Sequence, residues 1–514
     1  MKRAAGDEVG PTVKRERIDT QGPPVPCFDL TRTRLLSKVN TLPPSGECVI
    51  LHMSRDQRVE DNYAMIYAQL LAVSRNVPLK VVFNLAPKFL EMTMRHYHFM
   101  LTGLMEVEQD LRAKGIPFHL TIGDPVEQIP EFVKTHKALA LVCDMSPLRG
   151  PRAKATGVAH KIDADKSMQV PVIQVDAHNI VPLWVASPKL EYGARTLRGK
   201  LDKLLPTYLT DDMVAIAHNS DYSKSTGDCL EGCNPVDWEM AMNSVEVDRS
   251  VREIKWLKPG TKGGWNTLNE FCANRLKVYA SKRNDPNVLA ASEMSPYFNF
   301  GQFSVQRAIL YVKSKKTHHE STSSFQEEAV VRRELSDNFC YYNPRYDSLD
   351  GCYDWAKTSL KEHWGDKRDF LYSQEQLEEA RTHDDLWNAA QLQLTKHGKM
   401  HGFLRMYWAK KVLEWTENPS EALRIALYLN DRYSLDGNDP NGYVGCMWSI
   451  GGIHDQGWAE RAVFGKIRYM NYKGCERKFK VKEFVAKYPP AQENARAALA
   501  KDGQTSVASF FAKS

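Results

Sequence analysis

CVILHM at 48–53 is a short run of β-branched and other apolar residues, and four runs of the same kind follow it. They are KVVFNL (80–85), FHLTI (118–122), ALALVCD (138–144) and VIQVD (172–176). Helical patterns lie between them at 61–74, 91–114 and 126–136. This alternation predicts an α/β domain over 45–205, a doubly wound parallel sheet of the Rossmann-like kind. Asp144 and Asp176 end two of the runs, where ligands of such sheets bind, although each would serve equally as a cap or loop residue.

Past the last run the pattern changes. Residues 206–250 lack a clear period and read as a linker. From 251 the strand signals stop, and helical stretches are predicted at 264–281, 301–315, 325–341, 374–381, 384–397, 400–416, 419–430 and 456–470. A large all-helical domain over 251–485 follows. Nine of the eleven tryptophans lie between Trp256 and Trp458, which places the chemistry in this half. Residues 1–25 read as a disordered basic tail and 490–514 as a flexible one.

Composition narrows the class. A chain of 514 residues, 42% apolar and 26% charged, has the balance of a soluble two-domain protein. No run approaches the roughly 20 apolar residues of a membrane helix, and Met1-Lys2-Arg3 opens no apolar signal segment. The ten cysteines are scattered without a CxxC pair, as reduced intracellular thiols are. A net charge of +6 permits an anionic partner without demanding one. GxGxxG and the P-loop are absent. His397 and His401 have zinc-ligand spacing but Gly398 stands where HExxH needs glutamate, and Pro440 interrupts the calcium-like LDGNDPNG, so no metal is expected.

The helical half contains four dense strings: EEAVVRRELSDNFCYY (327–342), WNAAQ (387–391), GKMHGFLRMYWAKKVLEW (398–415) and YLNDRYSLDGNDPNGYVGCMW (428–448). Each mixes tryptophan, arginine, asparagine and acid on long apolar faces, and together they predict a shared buried polar site. With SKRNDP (281–286) and SEMSPYFNFGQFS (292–304), these strings resemble the class II cyclobutane pyrimidine dimer (CPD) photolyases of the photolyase/cryptochrome family, over about residues 45–485.

The resemblance implies an enzyme: a deoxyribodipyrimidine photo-lyase whose helical domain holds FAD, which donates an electron in blue light to a flipped-out dimer in DNA. By resemblance, Tyr279, Ser292 and Ser295 wrap the FAD phosphates, with helix 301–315 turning its N-terminus toward the pyrophosphate. Arg405 and Asp436 match an ion pair beside the isoalloxazine ring, Asn430 the side chain at flavin N5, and Asn388 a further flavin contact. Glu328 matches a buried acid that bonds the dimer's bases, Met406 and Trp448 the apolar lesion walls, and Arg283 and Asn284 polar contacts to the dimer and its backbone. Trp387, Trp408 and Trp415 match the tryptophans that reduce the flavin, with Tyr372 and Tyr407 as candidates to assist. Trp408 and Trp415, seven apart, share a helix face close enough for an electron to hop between them. The role of Arg332 stays open. Many members carry a second antenna chromophore, a deazaflavin or a folate, and the sequence selects neither.

Two readings compete with repair of cyclobutane dimers: a cryptochrome-like photoreceptor without repair, and an enzyme for the (6-4) photoproduct, for which His401 would be the pocket histidine. Glu328, Met406 and Trp448 favour dimer repair. Basic pairs such as Lys282-Arg283, Arg332-Arg333 and Lys410-Lys411 are candidates for phosphate contact. Outside the resemblance, Lys2, Arg3, Lys14, Arg15 and Arg17 form two basic clusters that fit a nuclear import receptor, which predicts a nuclear protein. Gln504, Val507, Phe510 and Phe511 have the spacing of a sliding-clamp (PCNA) interaction peptide. A monomer is expected.

Overall fold

The computed structural model describes residues 21–223 and 229–511, with side chains described as far as residue 500. Six strands form one sheet: β1 (Thr33–Leu35), β2 (Cys48–Met53), β3 (Leu79–Leu85), β4 (Phe118–Ile122), β5 (Ala138–Asp144) and β6 (Val172–Val175), in the order β1-β6-β5-β2-β3-β4. The five runs read from the sequence are all strands and pair in parallel. β1 adds an antiparallel edge against β6, so the sheet is mixed rather than wholly parallel. Its three residues, TRL, carry no alternation from which to read it.

The pleat of β2 divides the core. Val49, Leu51 and Met53 share a cluster with α1 (Tyr63–Arg75) and α2 (Met94–Arg112), while Cys48 and Ile50 share another with α3 (Pro125–Thr135) and α4 (Arg149–Ala164). Strand order reverses between β2 and β5, where such sheets leave a ligand crevice. Here residues 54–58 fill it. Asp144 accepts the backbone N–H groups of Ser54 (2.8 Å) and Asp56 (3.1 Å), and burial beside Asp56 pushes its carboxyl up to about 7. Asp176 accepts from the N–H groups of Leu183 (2.8 Å) and Asn179 (3.1 Å). Both carboxylates fix loops rather than meet a ligand.

The filled crevice joins the sheet to the helices. Arg55 donates to both oxygens of Asp337 (2.7 and 2.9 Å) and lies 3.8 Å from Asp439. Arg58 donates to Gly301 O at 2.9 Å. Gly301 has φ of 60°, and a Cβ there would stand 2.3 Å from Arg55 O, so glycine is required at this approach.

From Gly260 onward the described residues contain no strand, and the helices that concern the cleft are numbered on from the sheet. They are α5 (Arg333–Tyr342), α6 (Asp385–His397), α7 (Gly402–Glu414), α8 (Pro419–Tyr433), α9 (Pro440–Gly451) and α10 (Pro490–Phe511). The first core continues from the sheet through Phe271, Tyr297 and Leu335, and a second is built around Trp387, Leu404, Ile425 and Met447.

Four expectations are corrected. Residues 456–470 are not helical: Val463 and Gly465 have φ of 68° and 53°, and a bridge pairs Arg461 with Gly465. PNGYVGCMWSIG, rich in glycine and calcium-like at its start, forms α9, with Asp439 as cap and Pro440 at the first position. Disorder does not reach residue 25: Val25 is buried and Tyr67 donates to Pro23 O at 2.8 Å. Residue 490 does not begin a flexible tail but a docked helix: Ala491 is fully buried, and Asn494 donates to Ala380 O at 3.0 Å. The 206–250 segment is anchored by Trp238, which stacks on Phe118 and donates to Glu108 at 2.7 Å.

Removing one partner of a buried ion pair leaves the other charge uncompensated. Arg55→Met is therefore expected to lower unfolding stability by about 3–5 kcal/mol, measured by denaturant titration.

Candidate active site

A cavity of about 1160 Å³ lies among the loop 283–295, the turn that precedes α5, and helices α7, α8 and α9. Of the residues singled out in the sequence, Tyr279, Arg283, Asn284, Ser292, Ser295, Glu328, Arg405, Met406, Trp408, Asn430, Asp436 and Trp448 all line it. They come from segments up to 169 positions apart, so only the fold brings them together.

The turn Glu327–Arg332 is π-helical, one residue wider than α-helix. Adjacent residues on a helix point in different directions, and the two glutamates here part accordingly. Glu327 turns out to Arg198 (2.7 Å), and Glu328 faces the cavity, where it pairs with Arg283 at 2.9 Å. The Glu328 side chain is 38% exposed, so it is an ion-paired carboxylate at a wet wall rather than the buried acid expected. Arg332, also on the cavity wall, pairs with Glu327 at 3.2 Å.

On the opposite side α7 presents Arg405, whose guanidinium donates to Asp436 (2.6 Å) and to Ser434 Oγ (3.1 Å). Asp436 also accepts from Ser295 Oγ and Ser434 Oγ, each at 2.6 Å. Burial alone would raise its pKa, but Arg405, Lys399 and the two hydroxyls outweigh it and hold the carboxyl well below the usual range. An ionised pair therefore sits at the cavity wall throughout the physiological range. Asn430, on α8, donates its amide N–H to Asp431 (2.8 Å), which leaves its carbonyl oxygen free for a donor. Met406 and Trp448 are half-buried, with their exposed parts toward the cavity, and Met406 is not a core methionine.

The tryptophans form a connected row. Trp408 lines the cavity and stacks on Trp387 (6.2 Å between ring centroids, 8° between planes). Trp387 meets Trp415 edge-on at 5.9 Å, and Trp415 meets Tyr372 at 5.8 Å. The order differs from that inferred from helix spacing: Trp387 of α6 stands between Trp408 and Trp415. Tyr407 lies off the row, its hydroxyl bound to Asp384.

Two expected contacts are not at the cavity. Asn388 is fully buried, its amide bonded to Thr382 and to Ala491 O (3.2 Å), so it joins α6 to α10. The helix read at 301–315 begins at Val305 and turns away: Ser304 caps Arg307 N, and Arg307 pairs with Asp61 at 2.7 Å. Its N-terminus does not reach a phosphate in the cavity. Conversely, Trp256, His454, Asp455 and Arg468 line the wall without having been singled out. Trp256, 46% exposed, lies between the aperiodic 206–250 segment and the first predicted helix, His454 and Asp455 lie just before the stretch misread as helix, and Arg468 lies within it, so no pattern marked them.

The wall fits a large, anionic, planar guest. Nothing stands within 4 Å of a Cβ added at Gly402 or Gly445, so both glycines leave open space at the lining. His401 Nδ1 and His454 Nε2 are buried without a hydrogen-bond partner among the described residues, and burial lowers both rings to about 4 and about 3, so each is neutral. Six cationic side chains (Arg283, Arg332, Lys399, Arg405, Arg468, Lys487) face four carboxylates (Glu293, Glu328, Asp436, Asp455). Among the described residues no cluster of metal-ligating side chains occurs.

The DNA photolyase family matches residues 49–217. The deoxyribodipyrimidine photo-lyase of Potorous tridactylus is 55% identical over 465 residues, covering 90% of this chain and 85% of that one. The enzyme of the same name from Arabidopsis thaliana is 48% identical over 464 residues, covering 88% and 92%. Among solved structures, a bacterial class III photolyase from Agrobacterium tumefaciens (TM-score 0.63, 18% identity, 88% of each chain) shares the fold. So does a Synechocystis cryptochrome (TM-score 0.63, 14% identity, 88% and 89% covered).

If the row carries electrons, its middle ring is indispensable. Trp387→Phe, loaded with FAD, is expected to lose most light-driven reduction, followed by absorbance, while reduction by dithionite stays as in the wild type.

Proposed function

The chain belongs to the DNA photolyase family, and from that premise we propose that it is a class II enzyme repairing cyclobutane pyrimidine dimers in DNA under light. The observation that carries this reading is a single cavity holding both sets of residues the reaction needs. One set, Arg405, Asp436, Asn430, Tyr279, Ser292 and Ser295, is suited to FAD; the other, Glu328, Arg283, Met406 and Trp448, is suited to a dimer. When bound there, FAD in its reduced form supplies an electron in blue light and takes it back once the dimer has opened.

The residues divide the remaining work. Arg405, with its charge fixed by Asp436, gives the cofactor side a permanent cation. The carbonyl of Asn430, oriented by Asp431, can accept an N–H from the ring system. Met406 and Trp448 exclude water from a flipped-out lesion, and Glu328 accepts hydrogen bonds from its base edges while Arg283 keeps the carboxylate in place. The cationic excess at the wall favours phosphate, so binding weakens with salt. A cryptochrome-like photoreceptor has no need of the Glu328, Met406 and Trp448 wall, which disfavours that alternative.

We infer further that the enzyme acts as a monomer in the nucleus. Lys2, Arg3, Lys14, Arg15 and Arg17 lie outside the described residues, and their spacing, with a ten-residue gap, supports import. Gln504, Val507, Phe510 and Phe511 fall in the last turns of α10, whose side chains lie outside the described residues. A helical backbone there suits a clamp-binding turn.

Glu328→Ala is expected to keep FAD loading and lose about 10- to 100-fold in repair, the value of a charge-assisted hydrogen bond, measured on a thymine-dimer oligonucleotide. Phe510→Ala with Phe511→Ala is expected to abolish clamp pull-down and leave repair of naked oligonucleotide unchanged.

A further inference from the structure

Lys410 is fully buried on α7 and has no carboxylate within ion-pair distance among the described residues. An unpaired buried charge is costly, so something must hold it there. Its Nζ donates to Ser449 O at 3.0 Å, a carbonyl in the last turn of α9, where carbonyls lack helical donors and the helix end is negative. The same Nζ lies 4.5 Å from the centroid of the Trp448 ring. Trp448 lines the cavity, and Lys410 approaches it from the protein side.

We propose that Lys410 is a positioning residue for substrate. Its ammonium, held between the end of α9 and the protein-side face of Trp448, fixes the indole against which the dimer packs and makes dimer recognition depend on the charge of Lys410. The proposal rests on reading the cavity as a dimer pocket. The attraction of a cation to an indole face vanishes when the amine is neutral, while the hydrogen bond to Ser449 O can persist. The charged groups that act on Lys410 are Asp455, which favours the cation, and Arg468, which opposes it. Burial lowers the amine to about 7, so its charge is lost near working pH. The sign follows: Trp448 is held firmly below pH 7 and released above it.

The test is the affinity of FAD-loaded protein for a thymine-dimer oligonucleotide and for its undamaged twin, from pH 6 to 8.5. Wild type, Lys410→Met and Lys410→Arg are compared. Dimer affinity of the wild type is expected to fall roughly threefold to thirtyfold across that range, the size of a partly desolvated cation–π contact. Lys410→Arg, charged throughout, should bind at pH 8.5 as it does at pH 6. Lys410→Met should bind the dimer weakly at every pH, with unchanged FAD content and photoreduction. A flat wild-type profile with tight dimer binding overturns the role of Lys410 alone, as does Lys410→Met retaining the wild-type pH dependence. If Lys410→Met fails to fold, the wild-type and Lys410→Arg profiles decide. A wild type that binds both oligonucleotides alike at all pH values overturns the dimer pocket and this inference together.

Discussion

The buried pair of Arg55 and Asp337 is the constraint on which the arrangement of the two halves rests. Arg55 stands on the loop that fills the sheet's crevice, Asp337 on α5, and Asp439, 3.8 Å from the same guanidinium, caps α9. One arginine thus ties the sheet to two walls of the cavity. Around it Asn179 donates to Asp337 at 3.1 Å, and Glu334 accepts the N–H of Ile180 at 2.8 Å. Burial pushes Glu334 up to about 8, so it stays protonated near neutrality and adds no charge. Asp337 is different: burial would raise it, but Arg55 outweighs burial and holds it below its ordinary value. The stability it contributes is therefore present above the ordinary carboxylate pKa and lost as pH falls through its lowered one. A crevice that could have held a ligand is used as the joint, and the large cavity lies among the helices instead.

α7 furnishes two adjacent stripes of the cavity wall. The helix is buried on most of its circumference, so nearly every side chain has a neighbour to face. Arg405 and Trp408, three apart, fall on one stripe, which carries the ion pair with Asp436 and the start of the tryptophan row. Met406 and Lys410, four apart, fall on the next and face α9 and Trp448. Side chains that alternate along the six positions from Arg405 to Lys410 are sorted by the helical period into adjacent stripes. On the other side, the turn before α5 points Glu327 to Arg198 and Glu328 to the cavity.

The legibility of these features follows from their physics. Strands β2, β3, β5 and β6 were readable because a strand covered on both faces needs a largely apolar run; β4, at the edge and half-buried, was marked by the alternation of Phe118, Leu120 and Ile122, whereas three-residue β1 is set by its neighbour. α9 hides behind its glycines, which open the cavity lining at Gly445 and let α9 approach Asn430 at Gly442; the helix signal survives only in Asp439 and Pro440. The strings that carried the family resemblance supply most of the wall, because a polar cavity inside a helical core needs charged, amide and aromatic side chains on otherwise apolar helices, and that mixture is what marked them. The row order of the tryptophans was not readable: spacing along α7 places Trp408 and Trp415 on one face, but says nothing of a third ring from α6 that enters between them. Asn388 shows the converse, a polar residue inside a recognised string whose amide is spent on holding α10.

That last contact links the catalytic core to the chain's end. α6 carries Trp387, and the residue after it, Asn388, holds the first turn of α10 through Ala491 O. Ala495 is the last buried alanine of α10 among the residues whose side chains are described, and the helix continues unbroken to Phe511. At 1.5 Å per residue the helix carries Gln504 about 14 Å beyond Ala495. The residues from Gln504 to Phe511 are therefore carried on a continuous helical backbone rather than on an irregular one. The helix is seated on α6, which carries Trp387, through the contact of Asn388 with Ala491 O. A flexible linker would let the tip search a volume, whereas a seated helix gives its backbone a direction, set by the contact that packs Asn388.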